Sequence, residues 1–221
     1  MFEIEIKSLL GTKDVADLFR EKLLADNGVV RSGGSSQLNH YFEGGENEAL
    51  YIAVSHLFSD EKKERLHRML KSATAISIRS REYKGDVFFV VKTTVDSTTS
   101  ENGTAREEFE EKVEATLAEL DKVILDSGWK YQAKWSRVRE EYRKNSVTIT
   151  IDKNAGYGYL VEFEKMLDDK DDSEIAKIEL RAMMKDFGLE ELHGDRLARM
   201  FAHYNANWRD YYGTDKVFTI L

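Results

Sequence analysis

Apolar and charged residues alternate where the chain begins: Phe2, Ile4 and Ile6 against Glu3, Glu5 and Lys7. A period of two predicts a strand with one apolar and one charged face. Over residues 12–27 the spacing lengthens to that of a helix, through Val15, Leu18, Phe19, Leu23 and Leu24, with Asn27-Gly28 as its stop. Gln37 to Glu43 reads as a second strand, closed by Gly44-Gly45, and residues 46–72 carry Leu50, Ile52, Val54, Leu57, Leu66, Met69 and Leu70 at helical spacing. Alternation returns in 75–83 and 87–95, joined by Gly85-Asp86 as a hairpin. Further strands are expected at 105–113, 130–143, 146–152 and 159–166, with a helix at 114–127 ended by Gly128. The acidic stretch LDDKDDSE reads as a loop with Ser173 capping a helix, and 173–211 as helical, followed by the apolar tail VFTIL. Eight antiparallel strands can close into a barrel with room for one small ligand. The expected class is therefore α+β, an eight-stranded antiparallel β-barrel with surrounding helices.

Composition narrows what such a barrel could do. Acidic residues number 41 against 33 basic, a net charge of −8, which argues against a partner that is duplex nucleic acid or a membrane surface. Cysteine is absent, so disulfides, thiol catalysis and sulfur-built metal sites are excluded. Proline is absent as well, where average usage would place about 11. No segment approaches 18 apolar residues and the N-terminus is too charged for a signal peptide, so the expected setting is cytoplasmic. The histidines at 40, 56, 67, 193 and 203 show no metal spacing and are expected at the surface. The aromatic run at 204–212 reads as packing, and residues 204–221 are expected to cover one mouth of the barrel.

The charges on the strands are placed unusually. Glu3/Glu5, Glu108/Glu110 and Glu162/Glu164 are i, i+2 acidic pairs; Arg79/Arg81 and Arg137/Arg139 are i, i+2 cationic pairs. Each pair points to one side of its strand. A single such pair is ordinary on the wet face of an antiparallel sheet, but this many in one chain describe a face carrying both signs. Carboxylates suit hard divalent cations such as Mg²⁺ or Mn²⁺. Arginine and lysine suit phosphate oxygens. Together they suit a metal–polyphosphate complex.

At this point the residues resemble a known family. Glu3-Ile4-Glu5-Ile6-Lys7 resembles the N-terminal signature of the CYTH superfamily, the triphosphate tunnel metalloenzymes. Later motifs follow in order: Tyr41-Phe42; Ile78-Arg79-Ser80-Arg81; Lys92; Arg106-Glu107-Glu108-Phe109-Glu110; Arg137-Val138-Arg139 with Tyr142; Asp152; and Gly156-Tyr157-Gly158 leading to Glu162-Phe163-Glu164. The match covers residues 1 to about 166. It departs in the long stretch between Phe42 and Arg79 and in the unaligned tail. Lys134 could stand in for Arg137, but its parity puts it on the other strand face.

The resemblance implies a single domain over 1–221, with the tunnel in 1–166 and helices and tail in 167–221. It implies Glu3, Glu5, Glu162 and Glu164 as metal ligands, with Glu108, Glu110 and Asp152 as further candidates. Lys7, Arg79, Arg81, Lys92, Arg106, Arg137 and Arg139 would hold phosphates, and Glu3, Glu5 and Lys7 would be the catalytic core. The activity expected is metal-dependent hydrolysis of inorganic triphosphate or an organic triphosphate. A class IV adenylyl cyclase, turning ATP into cyclic AMP and pyrophosphate, would use the same parts. A non-catalytic polyphosphate or nucleotide binding module is the third reading. Oligomeric state is left open.

Overall fold

The computed structural model describes residues 2–73, 75–94, 106–167 and 173–220. Its strands are β1 (Phe2–Gly11), β2 (Val29–Glu43), β3 (Ala75–Tyr83), β4 (Asp86–Thr94), β5 (Arg106–Val113), β6 (Lys130–Lys144), β7 (Val147–Asn154) and β8 (Gly158–Leu167). Its α-helices are α1 (Lys13–Ala25), α2 (Asn47–Val54), α3 (Asp60–Ser72), α4 (Leu117–Asp126), α5 (Ser173–Asp186) and α6 (Gly194–Tyr211). The strands form one eight-stranded sheet in the order β1-β8-β7-β6-β2-β3-β4-β5. No helix among the described residues is long and apolar enough to cross a membrane.

The chain divides into two compact units, residues 1–36 with 136–221, and residues 37–135. In the first unit, Ile6, Ile149, Ile151, Val161 and Phe163 from the strands pack with Phe19 and Leu23 of α1 and Leu180 and Met184 of α5. Thr12 starts α1 by accepting a hydrogen bond from the Val15 N–H, which satisfies one of the unpaired first-turn donors. In the second unit, Phe42, Ile78, Phe89, Val91 and Phe109 pack with Leu50 of α2, Leu66 and Met69 of α3, and Leu120 and Ile124 of α4. A capping box of Thr116 and Glu119 sets the start of α4, three residues later than the periodicity predicts.

Three further boundaries differ from the sequence expectation. The second strand starts at Val29, well before Gln37. Residues 29–36 (VVRSGGSS) do not alternate; their extended form rests on a partner strand that sequence does not display. A Cβ on Gly34 would lie 3.0 Å from the Arg139 carbonyl oxygen, so glycine is what lets the backbones approach. The helix expected over 46–72 breaks after a 3₁₀ turn at Ser55–Leu57, where the buried Phe58 turns extended to reach the rings of Phe89 and Phe109. The helical region 173–211 breaks between α5 and α6, with Gly188 in the left-handed region at φ +75°. The Ser173 cap borders residues 168–172, which lie outside the described set.

The β3–β4 hairpin turns through Lys84 and Gly85, both at positive φ, as a type I′ turn requires. The β7–β8 turn is pressed close against the end of β1. Gly158, at φ +74°, would place a Cβ 1.9 Å from the Gly11 carbonyl oxygen. The C-terminal tail docks on this turn: the Phe218 N–H donates to the Gly156 carbonyl at 2.9 Å, and Tyr157 packs against Tyr204 and Phe218. Tyr204 and Trp208 of the aromatic run are buried.

Candidate functional site

Strand register decides which candidate residues share a face, because directly opposed residues of an antiparallel pair point to the same side. In the first unit Glu5 lies opposite Glu164 and Lys7 opposite Glu162. Glu162 lies opposite Thr150, and Asp152 lies opposite Arg139, with Arg137 opposite Asn154. All the candidates of this unit therefore fall on one face of β1, β8, β7 and β6. The opposite face carries Ile6, Ile149, Ile151 and Phe163 into the apolar core.

The side chains on this face form a continuous chain of opposite charges. The Lys7 ammonium lies 3.0 Å from Glu5 and pairs with Glu162. Arg139 pairs with Glu162 and grips Asp152 with a bidentate fork, Nε to Oδ1 at 2.7 Å and Nη2 to Oδ2 at 2.5 Å. Arg137 approaches the same Asp152 oxygen at 3.6 Å. Burial pulls the Lys7 ammonium down, but Glu162 and Glu5 outweigh it and hold it above the ordinary lysine value. Burial likewise pushes the Glu162 carboxyl up, and Lys7 and Arg139 overcome this to leave it below the usual carboxylate range. For Asp152, almost wholly buried, burial prevails and pushes the carboxyl up against the pull of Arg139.

In the second unit, Tyr41 lies opposite Arg79 and Asn39 opposite Arg81. Lys92 lies opposite Ser77 on one side and Glu108 on the other. These residues too share one face, while Phe42, Ile78, Phe89 and Phe109 turn to the core. Arg81 donates to Asn39 Oδ1 at 2.9 Å and to Glu110 at 2.8 Å. Lys92 lies 3.0 Å from Glu108. Arg79 is different. It donates to Ser77 Oγ at 3.2 Å and stacks 4.6 Å over the Tyr41 ring. Among the described residues no carboxylate lies within ion-pair distance of it. Burial pulls its guanidinium below the ordinary arginine value, with Tyr41 opposing and Arg81 adding to the fall.

Glu3 and Arg106 occupy the expected positions in β1 and β5 by backbone register; their side chains lie outside the described set. Among the described residues no three acidic or histidine side chains stand together ready to hold a metal ion. The reason is visible in the ion pairs: Glu162 is committed to Lys7 and Arg139, and Asp152 to Arg139. The donor chemistry nevertheless fits a hard divalent cation, since Glu5, Glu162 and Glu164 are all carboxylates on one face. A fully buried hydroxyl, Thr150 Oγ1, also stands on that face without a hydrogen-bond partner among the described residues.

One expectation is corrected. His40 is buried, not at the surface, and its Nδ1 lies 2.6 Å from Asp121 of α4. Asp121 also accepts from Tyr131 at 2.6 Å and from Ser80, with Lys134 at 3.8 Å. This cluster sits behind the charged face, since His40 lies between Asn39 and Tyr41 and Ser80 between Arg79 and Arg81. Nothing in the sequence pairs residues 40, 80 and 121, which meet only through packing of α4. Asn39, the partner of Arg81, was also missed. Its i, i+2 relation to Tyr41 on one strand was the available signal.

A family model described as the CYTH domain matches residues 1–197. No curated protein matches the chain. Among solved structures, a conserved hypothetical protein from Pyrococcus furiosus is 21% identical, with a TM-score of 0.54 over 86% of this chain and 92% of that one. A candidate adenylate cyclase from Vibrio parahaemolyticus is 15% identical, with a TM-score of 0.54 over 91% of this chain and 98% of its own. HpAC1 from Hippeastrum, a candidate adenylyl cyclase described with a dominant triphosphatase activity, is 17% identical, with a TM-score of 0.51 over 91% and 96%. These likenesses show the fold, and the eight-stranded antiparallel α+β class expected from the sequence is borne out.

Proposed function

The chain belongs to the CYTH family, and from that premise we propose that it is a divalent-metal-dependent phosphohydrolase acting on inorganic triphosphate or an organic triphosphate. The observation that carries this reading is the interleaving of both charge signs on single strand faces, Glu5, Lys7, Glu162, Arg139 and Asp152 in the first unit and Arg79, Arg81, Lys92, Glu108 and Glu110 in the second. A pure anion binder has no use for the carboxylates, and a pure metal site none for the cations.

In this reading Lys7, Arg137 and Arg139 of the first unit, and Arg79, Arg81, Lys92 and Arg106 of the second, hold phosphate oxygens. Glu3, Glu5, Glu162 and Glu164 hold Mg²⁺ or Mn²⁺, with Glu108, Glu110 and Asp152 as further carboxylates. When bound, such an ion supplies Lewis-acid polarisation of a phosphoryl oxygen. A phosphate oxygen reaching Lys7 and Arg139 competes with Glu162 for both, so ligand entry releases the carboxylate that an ion needs. Water attacks the terminal phosphorus in line, a carboxylate of the face takes its proton, and the bridging P–O bond breaks to release pyrophosphate. The cations stabilise charge on the equatorial oxygens and the leaving group. A cytoplasmic setting and the lack of a nucleic-acid or membrane partner belong to the same reading.

One assay tests it. The protein is incubated with inorganic triphosphate or ATP and with Mg²⁺ or Mn²⁺, and products are identified by mass. Phosphate plus pyrophosphate from triphosphate is expected, with activity abolished in Glu3→Gln and Glu5→Gln. Cyclic AMP plus pyrophosphate from ATP would move the protein to the cyclases. Tight binding without turnover would make it a binding module.

A further inference from the structure

Thr150 has the one feature on the first unit's charged face that the ion pairs leave unexplained. It is fully buried, it sits mid-strand in β7, and its hydroxyl has no hydrogen-bond partner among the described residues. Across β8 its direct neighbour is Glu162. Opposed side chains in an antiparallel pair have Cβ atoms roughly 4.5–5.5 Å apart, within reach of a hydroxyl and a carboxylate. Yet the Glu162 oxygens turn to Lys7 and Arg139. Leaving a buried hydroxyl unpaired is unfavourable, so a threonine here is at odds with a Glu162 turned to Lys7 and Arg139, beside which valine would serve as well.

We infer that Thr150 is a positioning residue for Glu162: its hydroxyl becomes the donor that orients the carboxylate once an ion draws it from Lys7 and Arg139. This rests on the proposed reading of the site. Carboxylates that ligate metals are commonly oriented by such hydrogen bonds, and their loss weakens metal affinity by about 10–100-fold. The hydroxyl is dispensable in the free protein and engaged only when Glu162 is released.

The test uses the full chain as wild type, Thr150→Val and Thr150→Ser. Unfolding temperature is measured without metal; Mn²⁺ alone is titrated by paramagnetic resonance of the free ion; and inorganic triphosphate is titrated in EDTA by calorimetry. Thr150→Val is expected to unfold no lower than wild type, to bind triphosphate in EDTA no more tightly than wild type, and to bind Mn²⁺ about tenfold more weakly. Thr150→Ser, which keeps the hydroxyl, is expected to restore Mn²⁺ affinity. Wild-type Mn²⁺ affinity in Thr150→Val overturns the inference while leaving the functional reading standing. A lower unfolding temperature of metal-free Thr150→Val also overturns it, because the hydroxyl would then have a partner already. Wild type that binds triphosphate but no Mn²⁺ overturns the metal reading and this inference together.

Discussion

The two charged faces solve the same problem differently. In the unit holding β1, β7 and β8, Lys7, Arg137 and Arg139 each lie against a carboxylate. In the unit holding β3, β4 and β5, Arg81 and Lys92 do so, but Arg79 rests on a tyrosine ring and a serine hydroxyl. A buried cation without an anion is unfavourable, and its burial shows in the lowered guanidinium value. The paired cations must give up a partner before they can hold an anion. Among the described residues Arg79 has none to give up, so an arriving phosphate would gain there without an exchange. The first face is thus an exchangeable network and the second holds a ready hook.

The sharpest way to break this contrast is to remove one arginine from each face. Arg139→Ala leaves Asp152 and Glu162 without their shared partner, and breaking a buried pair in this way costs about 3–5 kcal/mol. Arg79→Ala removes a half-buried cation that orphans no carboxylate among the described residues, and its stability should match or exceed wild type. Urea unfolding midpoints compare the two; an equal loss in both would erase the distinction. Next in size is Glu162→Gln, which keeps shape but loses the charge that Lys7 and Arg139 share and the proposed ion needs. A fall in kcat/KM of roughly a hundredfold is expected, about 2.7 kcal/mol of transition-state stabilisation. Steady-state kinetics with inorganic triphosphate would read it.

The smallest effect is on pH dependence. The Glu162 carboxyl is held below its ordinary value of 4.5 in the fold, its burial outweighed by Lys7 and Arg139. Its contribution is therefore present above that value and is lost as pH falls through the lower folded one. The Lys7 ammonium is raised above 10.5, so its contribution is present below that value and lost only as pH climbs beyond it. Asp152, pushed up by burial, acts in the opposite sense to Glu162. The informative measurement is the stability difference between wild type and Glu162→Gln. It should shrink as pH is lowered from neutral through 4.5, and a constant difference would contradict the pairing.

Much of the site was legible before any coordinates. The i, i+2 spacing of Glu3/Glu5, Arg79/Arg81, Arg137/Arg139 and Glu162/Glu164 follows the strand period, and a strand has only two faces for a residue to choose between. Register then sets Glu5 opposite Glu164 and Lys7 opposite Glu162, and Asp152 opposite Arg139. The β2 start was not legible, because VVRSGGSS takes its extended form from a neighbouring strand and not from its own pattern. Nor was the burial of His40, since a histidine between Asn39 and Tyr41 looks the same in sequence whether its ring meets water or Asp121.

The alternation of charge and greasy residues along single strands was enough to give the strand number, the i, i+2 pairs that share a strand face and the family they resemble. Those are properties of local period, encoded within a few residues of one another. Which carboxylate each cation holds, that Arg79 rests on a tyrosine ring, and which threonine is buried beside Glu162 were decided only in the tertiary structure. They depend on strands distant in sequence meeting in register, and on the low dielectric that burial creates around them.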